Sequence, residues 1–179
     1  KGLNLHLDGA RLFNAMAVGD KSPKDYGKLF DSISTCLSKG LGAPVGSVLS
    51  GSAAFIKKAR RTRKVFGGAM RQAGYLAAAG IYALDHNIDR LKQDHEHARY
   101  LADVLSGLPY VESVMPVDTN IIIFHLREGL EADAVIARLK EKDILALSLN
   151  RHSIRFVTHL DFTPEMVEPV EKALHSISL

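Results

Sequence analysis

The sequence predicts an α/β protein built from two units, a first unit that is part of a larger sheet domain and a second, smaller α+β unit. Short apolar runs typical of strands recur along the 179 residues, and stretches typical of helices lie between many of them. A long amphipathic stretch, Asp89 to Leu108, lies between the two regions. We therefore predict a first unit at residues 1–88 and a second at residues 89–179, which begins with a linking helix.

Strands separated by irregular segments are predicted in the first unit. Leu3–Leu7 alternates apolar and polar residues, as a short strand does, and a turn follows from Asp8. Further strands are predicted at Phe30–Cys36 and Val45–Leu49, with a glycine-rich loop at Ser38–Pro44 between them. Because these strands do not all alternate with helices, we expect the missing crossovers and strands to come from residues upstream of this chain.

Two helices are predicted to follow these strands. Ser52 is a favourable cap for a helix that ends near Gly67. The stretch from Met70 to Ile88 is rich in Ala, Gly, Leu and Tyr. This composition predicts a buried helix that packs closely through Gly74 and Gly80.

Strands and helices follow each other closely in the second unit. The predicted strands are Val111–Val114, Ile121–Leu126, Ile144–Leu149 and Ile154–Leu160, and the predicted helices are Glu131–Lys142 and Thr163–Ser176. The linking helix carries apolar residues on one face (Leu91, Ala98, Leu101, Ala102 and Leu105), with charges expected on the other. We expect its histidine His95 at the surface.

Composition predicts a soluble, cytoplasmic protein that binds neither membranes nor nucleic acid. The net charge is only +3, and no apolar run approaches the roughly 20 residues of a membrane span. A single cysteine, Cys36, rules out an internal disulfide, and we expect this residue to be a small buried apolar one. The basic run from Lys57 to Lys64 is best interpreted as a solvated helix face, since no aromatic residues are interleaved for base stacking.

Lys39 is the first candidate functional residue, because it follows an apolar strand in a loop of small residues. A lysine amine can form a Schiff base with a carbonyl when it is desolvated or its pKa is lowered. The neighbouring Ser38 could donate a hydrogen bond to a phosphate. From this segment alone, a solvated loop lysine among turn residues is the favoured interpretation.

Asp8 and Arg11 are the second candidate group. Asp8 stands where a strand ends, the usual position for functional groups in an open α/β sheet, and its carboxylate could pair with a protonated ring nitrogen. Arg11 could reach the same pocket. The alternative is a strand-end aspartate that caps a turn beside a surface arginine.

Taken together, the motifs resemble those of the L-threonine aldolases, pyridoxal-phosphate enzymes of fold type I. His6–Ala15 matches the pattern His-x-Asp-Gly-Ala-Arg-x-x-Asn-Ala, and Ser38–Ser47 matches Ser-Lys-Gly-Leu-Gly-Ala-Pro-Val-Gly-Ser. Three later segments, Arg63–Gln72, Asp118–Asn120 and Arg155–Asp161, resemble further motifs of the family in the same order. The resemblance extends over essentially the whole chain. It implies the large cofactor-binding domain of fold type I in part, followed by the small C-terminal domain.

The resemblance also implies which residues bind pyridoxal 5′-phosphate. Lys39 matches the Schiff-base lysine, and Asp8 matches the carboxylate that pairs with the pyridine nitrogen. Lys64 and Arg71 match basic residues near the cofactor, and one of them is expected to help neutralise the phosphate.

For the substrate, the resemblance implies an amino acid whose carboxylate is bound by two arginines. Arg11, which also lies next to the cofactor, and Arg155 match these positions. The implied reaction is the cleavage of L-threonine or L-allo-threonine to glycine and an aldehyde, by a homotetramer. Most of the phosphate cradle and the base would come from the chain's own upstream segment, so we expect these 179 residues alone to be inactive.

Two other functions remain open at this point. Another fold type I β-eliminating lyase, similar to tryptophanase, would share Lys39 and Asp8 but release pyruvate and ammonia. A binding or assembly module that kept the fold without the reaction would need no cofactor.

Overall fold

The computed structural model of the chain describes residues 2–177, which divide between Leu91 and Lys92 into two units. The division predicted from the sequence lies three residues earlier, after Ile88. The first unit contains, in chain order, β1 (His6–Gly9), α1 (Leu12–Val18), α2 (Pro23–Leu29), β2 (Ser32–Cys36), β3 (Ser47–Gly51), α3 (Ala53–Val65) and α4 (Gly74–His86). Its sheet has the order β1–β2–β3, with β1 parallel and β3 antiparallel to the central β2.

Helices α1 and α2 connect β1 to β2, which corrects the prediction of an irregular segment between these strands. Parallel strands require such a crossover, and here the chain supplies it. Ser22 and Asp25 form a capping box at the start of α2, with Pro23 in its first turn. Each helix has only seven residues, which is too short for a 3.6-residue apolar repeat to be recognised.

Helix α3 begins and ends as predicted. The Ser52 hydroxyl accepts a hydrogen bond from the Phe55 amide at 3.3 Å, and Gly67 follows the helix with a φ of +76°. The basic side chains of Lys57–Lys64 are exposed, as expected for a solvated helix face.

Helix α4 corrects the prediction of a buried helix at Met70–Ile88. It begins only at Gly74, and of its residues Gly80 and Ala83 alone are buried, whereas Tyr75 is 84% exposed. Only one of the two glycines that were expected to pack closely does so, since a Cβ on Gly80 would lie 2.9 Å from a side-chain carbon of Leu37 but one on Gly74 would meet nothing. The apolar composition of α4 predicts that the helix is buried, but it does not show which other residues would bury it.

The second unit is an antiparallel sheet with helices. Its elements are α5 (Leu91–Ser106, which starts at the last residue of the first unit), β4 (Val111–Val114), β5 (Ile121–Leu126), α6 (Ala132–Lys140), β6 (Leu147–Asn150), β7 (Ser153–Val157) and α7 (Pro164–His175). The strand order is β4–β5–β7–β6. Every strand and helix predicted for this unit is present, with ends that shift by a few residues.

The apolar face predicted for the linking helix is confirmed on α5, where Leu91, Ala98 and Leu105 are fully buried. The prediction that His95 lies at the surface is wrong, since this side chain is 1% exposed and its neighbour Asp94 is fully buried. Positions 94 and 95 lie one turn after Leu91 and one turn before Ala98, so helix geometry places them on the same buried face. Burial lowers the pKa of His95, because it disfavours the charged imidazolium.

Phe124 lies at the centre of the second unit's core. Burial alternates along β5, and Phe124 on its inner face is fully buried against Phe156, with the ring centroids 5.1 Å apart and the planes at 74°. This alternation is the pattern of a sheet that buries one face.

Phe124→Ala should lower the free energy of opening of β5 by about 3–5 kcal/mol, because it removes a large buried ring and leaves a cavity. Hydrogen exchange of the β5 amides in the full-length protein measures this quantity. Ile121→Ala, on the partly exposed face of the same strand, is the matched control and should cost less. Equal losses in the two variants would contradict the position of Phe124 in the core.

Candidate active site

The end of the first unit's sheet brings together two of the sequence-predicted residues. Strands β1 and β2 are parallel, with His6 opposite Ser32 and Gly9 opposite Thr35. Their carboxyl ends therefore lie at the same edge of the sheet. Asp8 is near the end of β1, and Lys39 is three residues beyond β2.

The local backbone fixes the position of Asp8. Its Oδ1 accepts a hydrogen bond from the Ala10 amide at 3.2 Å, which closes a turn directly after the strand. The next residue has to be glycine, because a Cβ on Gly9 would lie 2.8 Å from the backbone oxygen of Ser34 on β2. The Asp8 carboxylate is exposed at the sheet edge.

The loop that carries Lys39 is held by close packing and backbone hydrogen bonds. The Gly42 amide donates to the Lys39 carbonyl oxygen at 2.8 Å. A Cβ on Gly40 would lie 2.8 Å from a methyl carbon of Leu91 and 3.0 Å from the Asn14 amide nitrogen. A side chain at position 40 would therefore require the side chains of Leu91 and Asn14 to shift.

The Lys39 amine contacts Cys36, the last residue of β2. Lys39 Nζ donates to Cys36 Sγ at 2.9 Å, and the Ser47 hydroxyl donates to the same sulfur at 3.3 Å. This corrects the expectation that Cys36 is only a small buried apolar residue, since it is half-buried and binds two polar groups. The sequence offered one signal for the contact between Cys36 and Lys39, which is that the two residues are three positions apart. The contact between Cys36 and Ser47 depends on the register of β2 and β3 and could not be predicted from the sequence.

Asp8, Cys36 and Lys39 form one electrostatic cluster, which we call the sheet-edge cluster. The pKa of the Cys36 thiol lies below its ordinary value, first because of the hydrogen bond from Lys39 and then because of that from Ser47. Partial burial opposes this shift. The positive charge of Lys39 lowers the thiol pKa further and the negative charge of Asp8 raises it, so both charges act on the same sulfur.

Four further predicted residues of the first unit lie in different surroundings. Arg11 precedes α1 as its N-cap residue, three residues after Asp8, and is half-buried. Ser38 is exposed beside Lys39. Lys64 lies in the last turn of α3 and Arg71 in the segment before α4, and both are exposed.

Arg155 belongs to the second unit. It lies on β7 between Ile123 of β5 and Leu147 of β6. Its Nε atom is buried and has no hydrogen-bond acceptor among residues 2–177. Beside it is a cavity of about 940 Å³ whose lining includes His159. A buried guanidinium nitrogen without an acceptor is suited to bind a carboxylate.

No helix within residues 2–177 combines the length and the apolar character needed to cross a membrane.

Comparison with known proteins shows the family of the chain. The profile of the family described as beta-eliminating lyase matches residues 1–129. The chain is 44% identical over 165 residues to low-specificity L-threonine aldolase 1 of Arabidopsis thaliana, covering 90% of this chain and 46% of that protein. It is also 44% identical over 172 residues to the low specificity L-threonine aldolase of Escherichia coli K12, covering 95% and 50%. The chain thus spans about half the length of the curated relatives it matches.

Solved structures share the fold at lower sequence identity. A threonine aldolase from Leishmania major superposes with a TM-score of 0.76 at 21% identity, covering 97% of this chain and 51% of that one. An α-aminoadipate aminotransferase from Thermus thermophilus, solved with N-(5′-phosphopyridoxyl)-L-leucine, superposes with a TM-score of 0.65 at 13% identity, covering 97% and 50%.

Proposed function

The chain belongs to the beta-eliminating lyase family, with a fold type I architecture, and on this premise we propose that it is the lysine-bearing part of a threonine aldolase. The whole enzyme would cleave L-threonine, L-allo-threonine and related β-hydroxy-α-amino acids to glycine and an aldehyde. The observation that carries the proposal is the sheet-edge cluster. The parallel strands β1 and β2 bring Asp8 to the same edge as the loop that holds Lys39, whose Nζ contacts Cys36 Sγ at 2.9 Å. The aldolase names of the relatives support the choice of reaction.

The residues of the sheet-edge cluster fit pyridoxal 5′-phosphate. A primary amine can condense with the cofactor's aldehyde, and a carboxylate can accept a hydrogen bond from its protonated ring nitrogen, so Lys39 and Asp8 provide both groups. Ser38, Lys64 and Arg71 are proposed to contact the phosphate, which agrees with their exposed positions and with the two positive charges.

When bound, the cofactor supplies a ring that takes up the electron pair of the breaking Cα–Cβ bond. Lys39 would hold it through a covalent bond from its amine, and the Asp8 carboxylate would keep its ring nitrogen protonated. Arg11 and Arg155 bind the substrate carboxylate, which fixes the orientation of the bond to be broken. We assign the acceptor of the β-hydroxyl proton to the upstream segment.

The upstream segment of the same protein is the first partner we propose. All five residues of β3 are exposed, as are the apolar side chains of Tyr75, Ile81 and Tyr82 on α4. The relatives are about twice as long as this chain, so residues outside it are available to cover these surfaces. A homotetrameric assembly and a cytoplasmic location complete the proposal, and sedimentation of the full-length protein would test the first.

Borohydride reduction of the full-length protein with pyridoxal phosphate, followed by peptide mapping, tests the proposal. We expect a pyridoxyl label on Lys39, and glycine and acetaldehyde in equal amounts from L-threonine. Pyruvate and ammonia in their place would indicate the β-eliminating alternative, and an unlabelled protein would leave a non-catalytic module. The 179 residues alone should release no aldehyde.

Arg155→Lys should raise the KM for L-threonine by about ten- to a hundredfold with a smaller change in kcat. Lysine keeps the charge but loses the planar fork that holds a carboxylate through two hydrogen bonds. Steady-state kinetics of the full-length protein measure this. Arg151→Lys is the matched control, since Arg151 is exposed on the turn before β7 and forms an ion pair with Glu131 at 2.6 Å. An unchanged KM in Arg155→Lys would remove Arg155 from the substrate site.

A further inference from the structure

Cys36 is positioned by strand pairing to contact the amine of Lys39. Cys36 is opposite Ser47 in the antiparallel β2–β3 pair, and the Leu37 amide donates to the Gly46 carbonyl at 3.0 Å just beyond it. The Ser47 hydroxyl donates to Sγ from β3 at 3.3 Å, and Lys39 Nζ donates to it from the loop at 2.9 Å. The sulfur is thus an acceptor for two donors.

The charges around Cys36 favour a thiolate paired with the ammonium group. Lys39 and Ser47 stabilise a negative charge on Sγ through hydrogen bonds. The carboxylate of Asp8 opposes it, and the pKa of the thiol remains below its ordinary value because the hydrogen bond from Lys39 is the largest contribution.

We propose that Cys36 is a positioning residue whose thiolate binds the ε-ammonium group of Lys39 whenever this amine is not joined to a carbonyl. The inference rests on the proposed function, in which Lys39 is the residue that anchors the cofactor. Under that function the substrate amine would replace Lys39 in each cycle, so a state with free lysine would form. Cys36 stabilises this state and keeps the ammonium group beside the sheet edge, and the thiolate can accept the proton that the ammonium must lose before the amine attacks a carbonyl again.

The pH profile of Cys36 alkylation tests the ion pair without any cofactor. Cofactor-free full-length protein is treated with iodoacetamide over a range of pH, and the peptide that contains Cys36 is quantified by mass spectrometry. Lys39→Met should move the inflection upward by about one pH unit, because the thiolate loses its cation. Lys39→Arg should leave it close to wild type, and Asp8→Asn should move it downward. Lys28→Met, which removes an exposed lysine paired with Asp25, is the matched control and should leave it unchanged.

A titration with pyridoxal phosphate tests the stabilisation of the free-lysine state. Cys36→Ser keeps the shape and a hydrogen-bond acceptor but carries no negative charge. Half-maximal borohydride-fixed labelling of Lys39 should then need about threefold less cofactor than in wild type, because the free ammonium has lost its anion. General damage to the loop would increase the concentration needed, which is the opposite direction.

The two measurements separate failure of this inference from failure of the proposed function. If Lys39 takes the label but Lys39→Met leaves the Cys36 inflection in place, the cofactor role stands and the ion pair is refuted. An unchanged or increased cofactor requirement in Cys36→Ser also overturns the inference. If the inflection moves but Lys39 takes no label, the ion pair is supported and the proposed function fails.

Discussion

Lys39→Arg should abolish covalent attachment of pyridoxal phosphate and lower kcat/KM for threonine cleavage by about a thousandfold or more. Arginine keeps the positive charge and most of the length, but a guanidinium group cannot be deprotonated in a protein and does not attack a carbonyl. The measurement combines borohydride labelling of the full-length protein with aldehyde release from L-threonine. The variant should still bind the cofactor without a covalent bond, because Asp8 and the phosphate contacts remain.

Retained cofactor binding shows that a loss of activity in Lys39→Arg is chemical and does not result from unfolding. Lys28→Arg provides the matched control, since Lys28 is exposed on α2 and paired with Asp25 at 3.2 Å, and it should keep full activity. Wild-type turnover in Lys39→Arg would assign the cofactor to a different lysine.

Asp8→Asn is expected to lower kcat by about a hundred- to a thousandfold, because it removes a preorganised negative charge beside the cofactor ring nitrogen. The amide has almost the same shape, and its oxygen can still accept the hydrogen bond that Asp8 receives from the Ala10 amide. The turn at the end of β1 should therefore survive, and Lys39 should still take the borohydride label. Single-turnover kinetics with L-threonine isolate the bond-breaking step from substrate binding.

Asp20→Asn is the matched control for Asp8→Asn, since Asp20 is exposed and paired with its neighbour Lys21. Its kcat should equal that of the wild type. If Asp8→Asn turned over at the wild-type rate, the carboxylate at the sheet edge would have no part in electron withdrawal.

Periodic patterns made the second unit the more predictable part of the fold. The apolar stripe on α5 predicted which face of that helix is buried, and the structure agrees. The apolar run of β5 predicted a strand, whereas its alternating burial is seen only in the structure. The prediction of burial from residue type was wrong for His95, a polar residue that lies on the buried face of α5. Residue type predicts the usual exposure of a side chain, whereas its position on the helix decides which face it lies on.

The first unit was less predictable because its structure depends on partners that are distant in the sequence. The seven-residue helices α1 and α2 are too short for a reliable apolar repeat, and the exposed apolar face of α4 depends on what covers it. At the candidate site, the motifs around Asp8 and Lys39 predicted both residues from the sequence. The contact between Lys39 and Cys36 required the β2–β3 register, which no single segment encodes.

Strand β3 has a practical consequence for producing this polypeptide. It is an edge strand of its sheet, and its residues Ser47–Gly51 include no charged side chain and no proline. One row of its backbone amides and carbonyls therefore has no neighbouring strand within residues 2–91, and edges of this kind recruit strands from other molecules. Solutions of the isolated 179-residue chain should form intermolecular β-structure at high concentration. Val48→Lys should reduce such aggregation, because it places a charge on the exposed edge strand.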